Sequence, residues 1–517
     1  MAVGLCVVSG QQSSETEQLK QQLQQLQENL ERTQREYQAQ IQELQKRVHD
    51  LEQTSAGAPA RLSHGQPVVT DLDKESNPGS NWVAATASSS RGSASILRPL
   101  ESKDGRSYLD IGLIGTFAAG TSTADDISGG TQLGGHDPNQ RGFTVQGIEA
   151  NFAGAVDPYF RANANVLFQV DEDGESRLEL EEAWLETLSL SSGLQVRAGE
   201  FYTEFGRQNS LHPHAWAFVD QPVVLGRFLG PDGLRNPGAR ASWLTPTPFF
   251  SELLLSVQNS QGETASSFRS GGGHGNADES ALPLAYRHAD NDRGVDGLED
   301  LLLSPRYALS LDLTDNQVLL LGASAAFGPN SRGSEDAGST LTQIYGFDLT
   351  WKWKSPEHHA GFPFVSFQTE GLMRRYEAGH FDWDENGNGL VDFGEVVDST
   401  TGLPAFLARE TLTDYGFYSQ LLYGFRKGWV AGLRFEYSAG ETADYEQSSL
   451  TLDGEPLGRD PLRSQRWRVS PNLTWYPSEF SKIRLQYNYD DRLVVGVDHS
   501  VWLQFEFLLG AHAAHRF

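Results

Sequence analysis

The sequence predicts an all-β fold: a transmembrane antiparallel β-barrel of about 16 strands, with an N-terminal α-helical coiled coil. Three observations carry this. From Tyr108 onward, segments that alternate apolar and polar residues recur with turn residues between them. The gaps between these segments alternate in length, short then long. Residues 14–53 carry the seam of a heptad repeat.

In chain order, residues 1–13 read as the remnant of a signal peptide. A short apolar run is followed by the small residues Ser9 and Gly10, and the basic start is missing. The bulky Leu5 before Cys6 argues against a lipid-anchored cysteine, and loss of the segment would leave no cysteine for a disulfide. Next, Leu19, Leu23, Leu26, Leu30, Thr33 and Tyr37 repeat with spacings of four and three. Ile41, Leu44, Val48 and Leu51 continue the seam after a stutter, which locally unwinds a supercoil. A single thin helix cannot bury this stripe alone, so self-association is expected. The mixed seam leaves dimer and trimer open, and a homotrimer is taken as the expected state. Residues 54–106, rich in Ser, Gly, Ala and Pro, read as flexible linker.

The barrel follows over 107–517. Its expected strands are 108–118, 142–155, 158–170, 177–189, 194–203, 237–245, 249–259, 300–313, 316–328, 340–353, 362–377, 412–426, 428–439, 465–476, 480–490 and 499–517. Tight turns such as 156–158, 191–193 and 314–316 alternate with gaps that include 119–141, 204–236, 260–299, 378–411 and 440–464. In an outer-membrane barrel, periplasmic turns are short and external loops long. An even strand count puts both termini, and hence the coiled coil, in the periplasm. The faces agree: Ile483, Leu485, Tyr487 and Tyr489 oppose Lys482, Arg484, Gln486 and Asn488. The mean hydropathy of −0.44 fits, because a barrel averages a lipid face and a wet face. No run of eighteen apolar residues marks a spanning helix.

At RAGEFYTEFG (197–206) and AFVDQP (217–222), the chain resembles the phosphate-selective porin O and P family. In that family a strand leads through a Phe-Gly pair into an inward-folded loop, and an aromatic-acidic-Pro segment follows. Phe218, Asp220 and Pro222 match that segment, whereas Glu204 stands where relatives commonly have Pro. The resemblance implies a porin in the bacterial outer membrane, and a terminal aromatic such as Phe517 is what barrel-assembly machinery reads. The ending LLGAHAAHRF resembles barrels labelled zinc-regulated or TonB-dependent receptors. Those imply an N-terminal plug and an energy-coupling box, neither of which stands in 11–106.

Loop 204–236 is the expected constriction, with Glu204, Arg207, His212, His214, Asp220, Arg227, Asp232 and Arg235. Arg197, Arg434, Arg466, Arg468, Lys482 and Arg484 lie on predicted wet faces and would attract anions such as phosphate. Glu149, Glu179, Glu181, Asp348, Glu370 and Glu436 share those faces, so the lining is mixed. His212 and His214 form a His-x-His pair able to chelate metal if extended. In loop 378–411, DENGNGLVDFGE has the spacing of an EF-hand calcium loop. Its expected ligands are Asp384, Asn386, Asn388, the carbonyl of Leu390, Asp392 and Glu395. Without flanking helices, calcium would act there as a staple and not as a sensor. No nucleophile elbow, Walker loop or Ser-His-Asp arrangement points to an enzyme. The net charge of −28 argues against nonspecific nucleic-acid binding.

The expected function is a passive diffusion channel for small hydrophilic solutes, with outer-membrane lipids as surroundings. The alternatives are a substrate-specific uptake receptor, for example for zinc, which a filled lumen would favour, and a barrel that tethers the envelope.

Overall fold

The computed structural model describes residues 100–101, 107–171, 174–269, 282–289, 295–331, 340–446 and 449–510. The expected signal remnant, the coiled coil 14–53, most of the linker, His512, His515 and Phe517 lie outside the described residues.

Sixteen long strands form the barrel. They are β1 Tyr108–Ser122, β2 Gly142–Ala155, β3 Phe160–Val170, β4 Ser176–Thr187, β5 Leu194–Tyr202 and β6 Arg235–Leu244. Then come β7 Phe250–Asn259, β8 Leu301–Thr314, β9 Gln317–Pro329, β10 Leu341–His359 and β11 Phe362–Ala378. The last are β12 Glu410–Arg426, β13 Trp429–Gly440, β14 Arg466–Ser478, β15 Ser481–Arg492 and β16 Gly496–Gly510. Each pairs antiparallel with the next, and β16 returns to β1 with Leu509 opposite Leu113 and Val501 opposite Thr121. Closure removes every long edge, as a backbone without water requires. Within the expected linker, Leu100–Glu101 forms a two-residue strand against Tyr108 and Leu109.

Alternation sets the two faces. Outward residues such as Leu433, Phe435, Leu473, Leu485, Leu503 and Phe505 are 40–50% exposed. Inward neighbours such as Arg434, Glu436, Arg484, Gln486 and Gln504 are buried. An apolar outside around a polar inside is the inverse of a soluble core and is the signature of a strand-built membrane span.

The lumen is filled differently from the wet tube expected. The long connection between β5 and β6 folds inward and contains one short helix, α1 Val223–Leu229. Its Val224, Leu225, Phe228 and Leu229 form an apolar cluster with Phe205, Phe268 and the lumen-facing Leu302, Ala326, Ile344, Leu372 and Tyr418. The loop after β1 also enters, where Ile127 packs on Val219 and Trp502. At the loop end, Phe381, Trp383, Val396, Leu407, Tyr445 and Leu450 pack with Tyr286 into a cap. A small sheet joins Val396–Asp398 to Leu450–Leu452 within it. The EF-hand-like stretch sits between Phe381–Asp382 and Val396–Asp398, which are short strands, so β structure flanks it as the sequence implies.

Candidate functional site

The inward segment 203–234 has no strand partner over most of its length, so wall side chains satisfy its backbone. Lys482 Nζ donates to the His214 carbonyl (2.6 Å), Arg484 to Trp216 (2.8 Å) and Asn472 to Ala217 (2.9 Å). The Val219 N–H donates to Gln486 and the Val223 N–H to Glu436, both at 2.8 Å. The family-like motif forms the centre of this anchorage. Arg434 stacks on the Phe218 ring at 4.6 Å and pairs with the Asp220 carboxylate. Arg468 reaches the other Asp220 oxygen at 3.2 Å, and Pro222 precedes α1. The Phe-Gly pair is equally specific. Gly206 has φ +62°, and a Cβ there would lie 2.0 Å from a Glu370 oxygen.

These contacts change the role of the predicted wall cations. Arg434, Arg466, Arg468 and Arg484 do face inward, but each is 1–2% exposed. Asp490 takes Arg466 (2.6 Å) and Arg468 (2.7 Å), and Glu506 takes Lys482 (2.8 Å). Arg466 also donates to the Gly130 and Thr131 carbonyls of the first inward loop (2.9 and 2.6 Å). Arg227 on α1 donates to the Ser464 carbonyl at 2.8 Å. Buried arginine is retained where several acceptors satisfy it, and a folded loop supplies them.

A cavity of about 680 Å³ remains, lined mostly by the turn-side halves of the strands and roofed by residues 204–217. Of the ten predicted pore residues, Arg197, Arg207, His212, His214 and Lys482 line it; Arg227, Arg434, Arg466, Arg468 and Arg484 do not. Sequence reasoning missed Arg161 and Arg240, which join Arg197 on the Glu186 carboxylate at 2.9, 2.8 and 2.8 Å. Glu204, the departure from the family-like motif, pairs with Arg240 at 2.5 Å.

At the roof, the His-x-His pair stacks with ring centroids 5.7 Å apart. His212 sits among carboxylates: Nδ1 is 3.4 Å from Glu181 and 3.6 Å from Glu149, and Nε2 is 3.1 Å from Glu182. Burial opposes a charge on this ring, but Glu149, Glu181 and Glu182 hold its pKa well above the usual imidazole value.

In the calcium-like loop, the Asp384 carboxylate accepts the Asn388 and Gly389 N–H groups, each at 2.9 Å. Asp392 accepts from the Asn386 amide (2.6 Å) and the Asn388 amide (3.1 Å), and its own N–H donates to Glu395 (2.8 Å). Asp384 is partly buried; Asn386, Asn388, Leu390, Asp392 and Phe393 are exposed.

Over 402 residues the chain is 31% identical to an uncharacterized protein of Aquifex aeolicus (strain VF5), covering 74% of this chain and 73% of that protein. The chain belongs to that protein's family. No family model matches it. Among solved structures it is similar to the outer-membrane channel DcaP of Acinetobacter baumannii (10% identity, 80% of this chain, 100% of that chain, TM-score 0.47). It is also similar to an anion-selective porin from Comamonas acidovorans (8%, 78% and 100%, TM-score 0.44).

Proposed function

We propose that this family member is an outer-membrane channel for small hydrophilic solutes, gated by its own inward loops. The cavity inside a closed barrel with an apolar outside carries this reading: charged side chains of both signs line it, as they line a water-filled channel through a lipid-spanning wall. Diffusion is passive, and a path through the loop-side half opens when segment 203–234 moves. Eight Arg and Lys side chains line the cavity, among them Arg161, Arg197 and Arg240, against six Asp and Glu side chains, among them Glu182 and Glu204. That surplus favours anions such as phosphate.

Planar-bilayer recording tests both parts. Asp220→Ala removes the carboxylate shared by Arg434 and Arg468. Breaking a buried pair costs about 3–5 kcal/mol, so the variant should open more often and conduct more. Reversal potentials in a salt gradient should show anion preference; cation preference would overturn the selectivity. Silence of both proteins would overturn the channel and leave the envelope-tethering barrel. The packed cluster around α1 favours a second reading, an uptake barrel that opens only for its own solute. Conductance appearing only with one solute class would select it.

The homotrimer and the periplasmic coiled coil belong to the same proposal. Light scattering of the full chain should give three copies, and of a chain lacking 14–53 fewer. Calcium is proposed to staple the external loop through Asp384, Asn386, Asn388, Leu390, Asp392 and Glu395. Calorimetry should show weak binding, with Kd on the order of 10⁻⁴–10⁻³ M, lost in Glu395→Gln. A flat titration of the full chain would end that idea.

A further inference from the structure

Three ligating side chains from distant parts of the chain meet at the cavity roof. Glu149 comes from β2, Glu181 from β4 and His212 from the inward loop, and their ligand atoms all lie within 4.8 Å of one another. A β-bulge aims them. The pairing of β3 with β4 passes from Asn165–Glu182 to Val166–Leu180, so Glu181 has no partner across the ladder. Glu181 and Glu182 therefore both turn inward, which regular alternation forbids.

Two inner atoms of this group make no hydrogen bond. Glu181 is 1% exposed, yet its Oε2 makes no hydrogen bond, and neither does Nδ1 of His212. The Glu181 and Glu149 oxygens lie 3.4 and 3.6 Å from Nδ1, which are the edges of a tetrahedron with metal–ligand bonds of about 2.1–2.2 Å. The outer atoms, by contrast, have partners. Glu181 Oε1 accepts from Tyr202 (3.3 Å) and lies 3.4 Å from His136. Glu149 Oε2 is 3.0 Å from His214, while His212 Nε2 lies 3.1 Å from Glu182 and 2.9 Å from Asn165 Nδ2. An incoming metal ion displaces the Nδ1 proton; the proton left on Nε2 points toward Glu182, and the Nδ1 lone pair then faces the ion between the two carboxylates, an arrangement a metal-binding imidazole adopts.

We propose that Glu149, Glu181 and His212 bind a divalent transition-metal ion of the zinc type, which ties the inward loop to the barrel wall. The imidazole ligand disfavours calcium and magnesium, which take oxygen. Glu149 and His212 line the cavity, so an ion diffusing into it reaches the site. The site is separate from the external Asp384–Glu395 loop, and it stands whether or not the barrel conducts.

The test uses the full chain in detergent, stripped with chelator and kept in excess calcium, titrated with Zn²⁺ by calorimetry. One equivalent is expected, weakened at least tenfold in His212→Gln and Glu181→Gln and unchanged in His359→Gln, whose histidine is exposed on β10. Gel mobility before and after heating establishes that each variant is a folded barrel. Zinc should raise the melting temperature of the parent and not of His212→Gln. Absence of zinc binding by the parent, or undiminished binding by a folded His212→Gln, would overturn the site. A protein that binds zinc but never conducts would overturn only the channel.

Discussion

Asp137 and Asp220 meet where the two inward loops touch, and their surroundings drive their titrations apart. Burial works against Asp220, but Arg434, Arg468 and the Gln486 amide hold its carboxyl below the usual range. Burial and the Asp220 charge outweigh the Gln221 and Gly134 N–H groups and Arg468 at Asp137, so its pKa is pushed up from 3.8 to about 8. Its folded form keeps a proton that the unfolded chain releases. The stabilisation is therefore complete below 3.8 and lost as pH rises through about 8. Thermal unfolding in detergent should show the melting temperature falling across that window, with a flatter profile in Asp137→Asn. An unchanged slope in Asp137→Asn would place the effect elsewhere. The sequence showed Asp220 as part of a motif, but its partnership with Asp137 spans a distance in chain that no local pattern encodes. Glu182 illustrates the same limit. Strict alternation from Glu179 and Glu181 places it outside, and only the bulge turns it, Trp184 and Glu186 inward.

At the scale of elements, the sequence was most legible where period two operates. Each of the sixteen strands stands close to its expected place, because turn residues and the apolar face mark both ends. The last is described as far as Gly510, and the rest of its expected span, 511–517, lies outside the described residues. Helix α1 was not legible: seven residues, VVLGRFL, are too few to display a helical stripe and are apolar nearly all round. They are apolar because α1 is buried on every side inside the lumen. A weak signal existed in Ile344 and Leu372, apolar residues on faces otherwise polar. Phe228 shows what this packing is worth: it is 1% exposed, and the Arg374 guanidinium lies 5.0 Å from its ring centre. Phe228→Ala should destabilise the inward segment by about 3–5 kcal/mol. The barrel wall keeps its own hydrogen bonds, so the loss should appear as faster hydrogen exchange within 203–234 and not as unfolding of the strands. Equal acceleration in the strands would mean that segment and wall are one cooperative unit.

At the largest scale, the decisive property is that the outer face of the barrel strands carries one apolar belt fixed by register. Leu421 lies opposite Leu433, Leu473 opposite Leu485, Leu485 opposite Leu503, and Leu503 opposite Ala119 across the closure. In water this belt would be an aggregation surface; in a bilayer it is the solvent-matched side. A charge placed on it must be dehydrated by lipid. Leu503→Lys should therefore cost about 2–4 kcal/mol in a barrel folded into vesicles, if Leu503 sits near the midplane. The inward neighbour Gln504 responds to different physics. It accepts from Arg484 and donates to Gln146, both at 2.8 Å, so Gln504→Glu gives up the Gln146 bond for a carboxylate on the guanidinium and meets no lipid. Reversible unfolding in vesicles should separate the two: a large loss for Leu503→Lys and a small change for Gln504→Glu. A negligible loss in Leu503→Lys would show that the belt does not face lipid, and the membrane reading would fall with it.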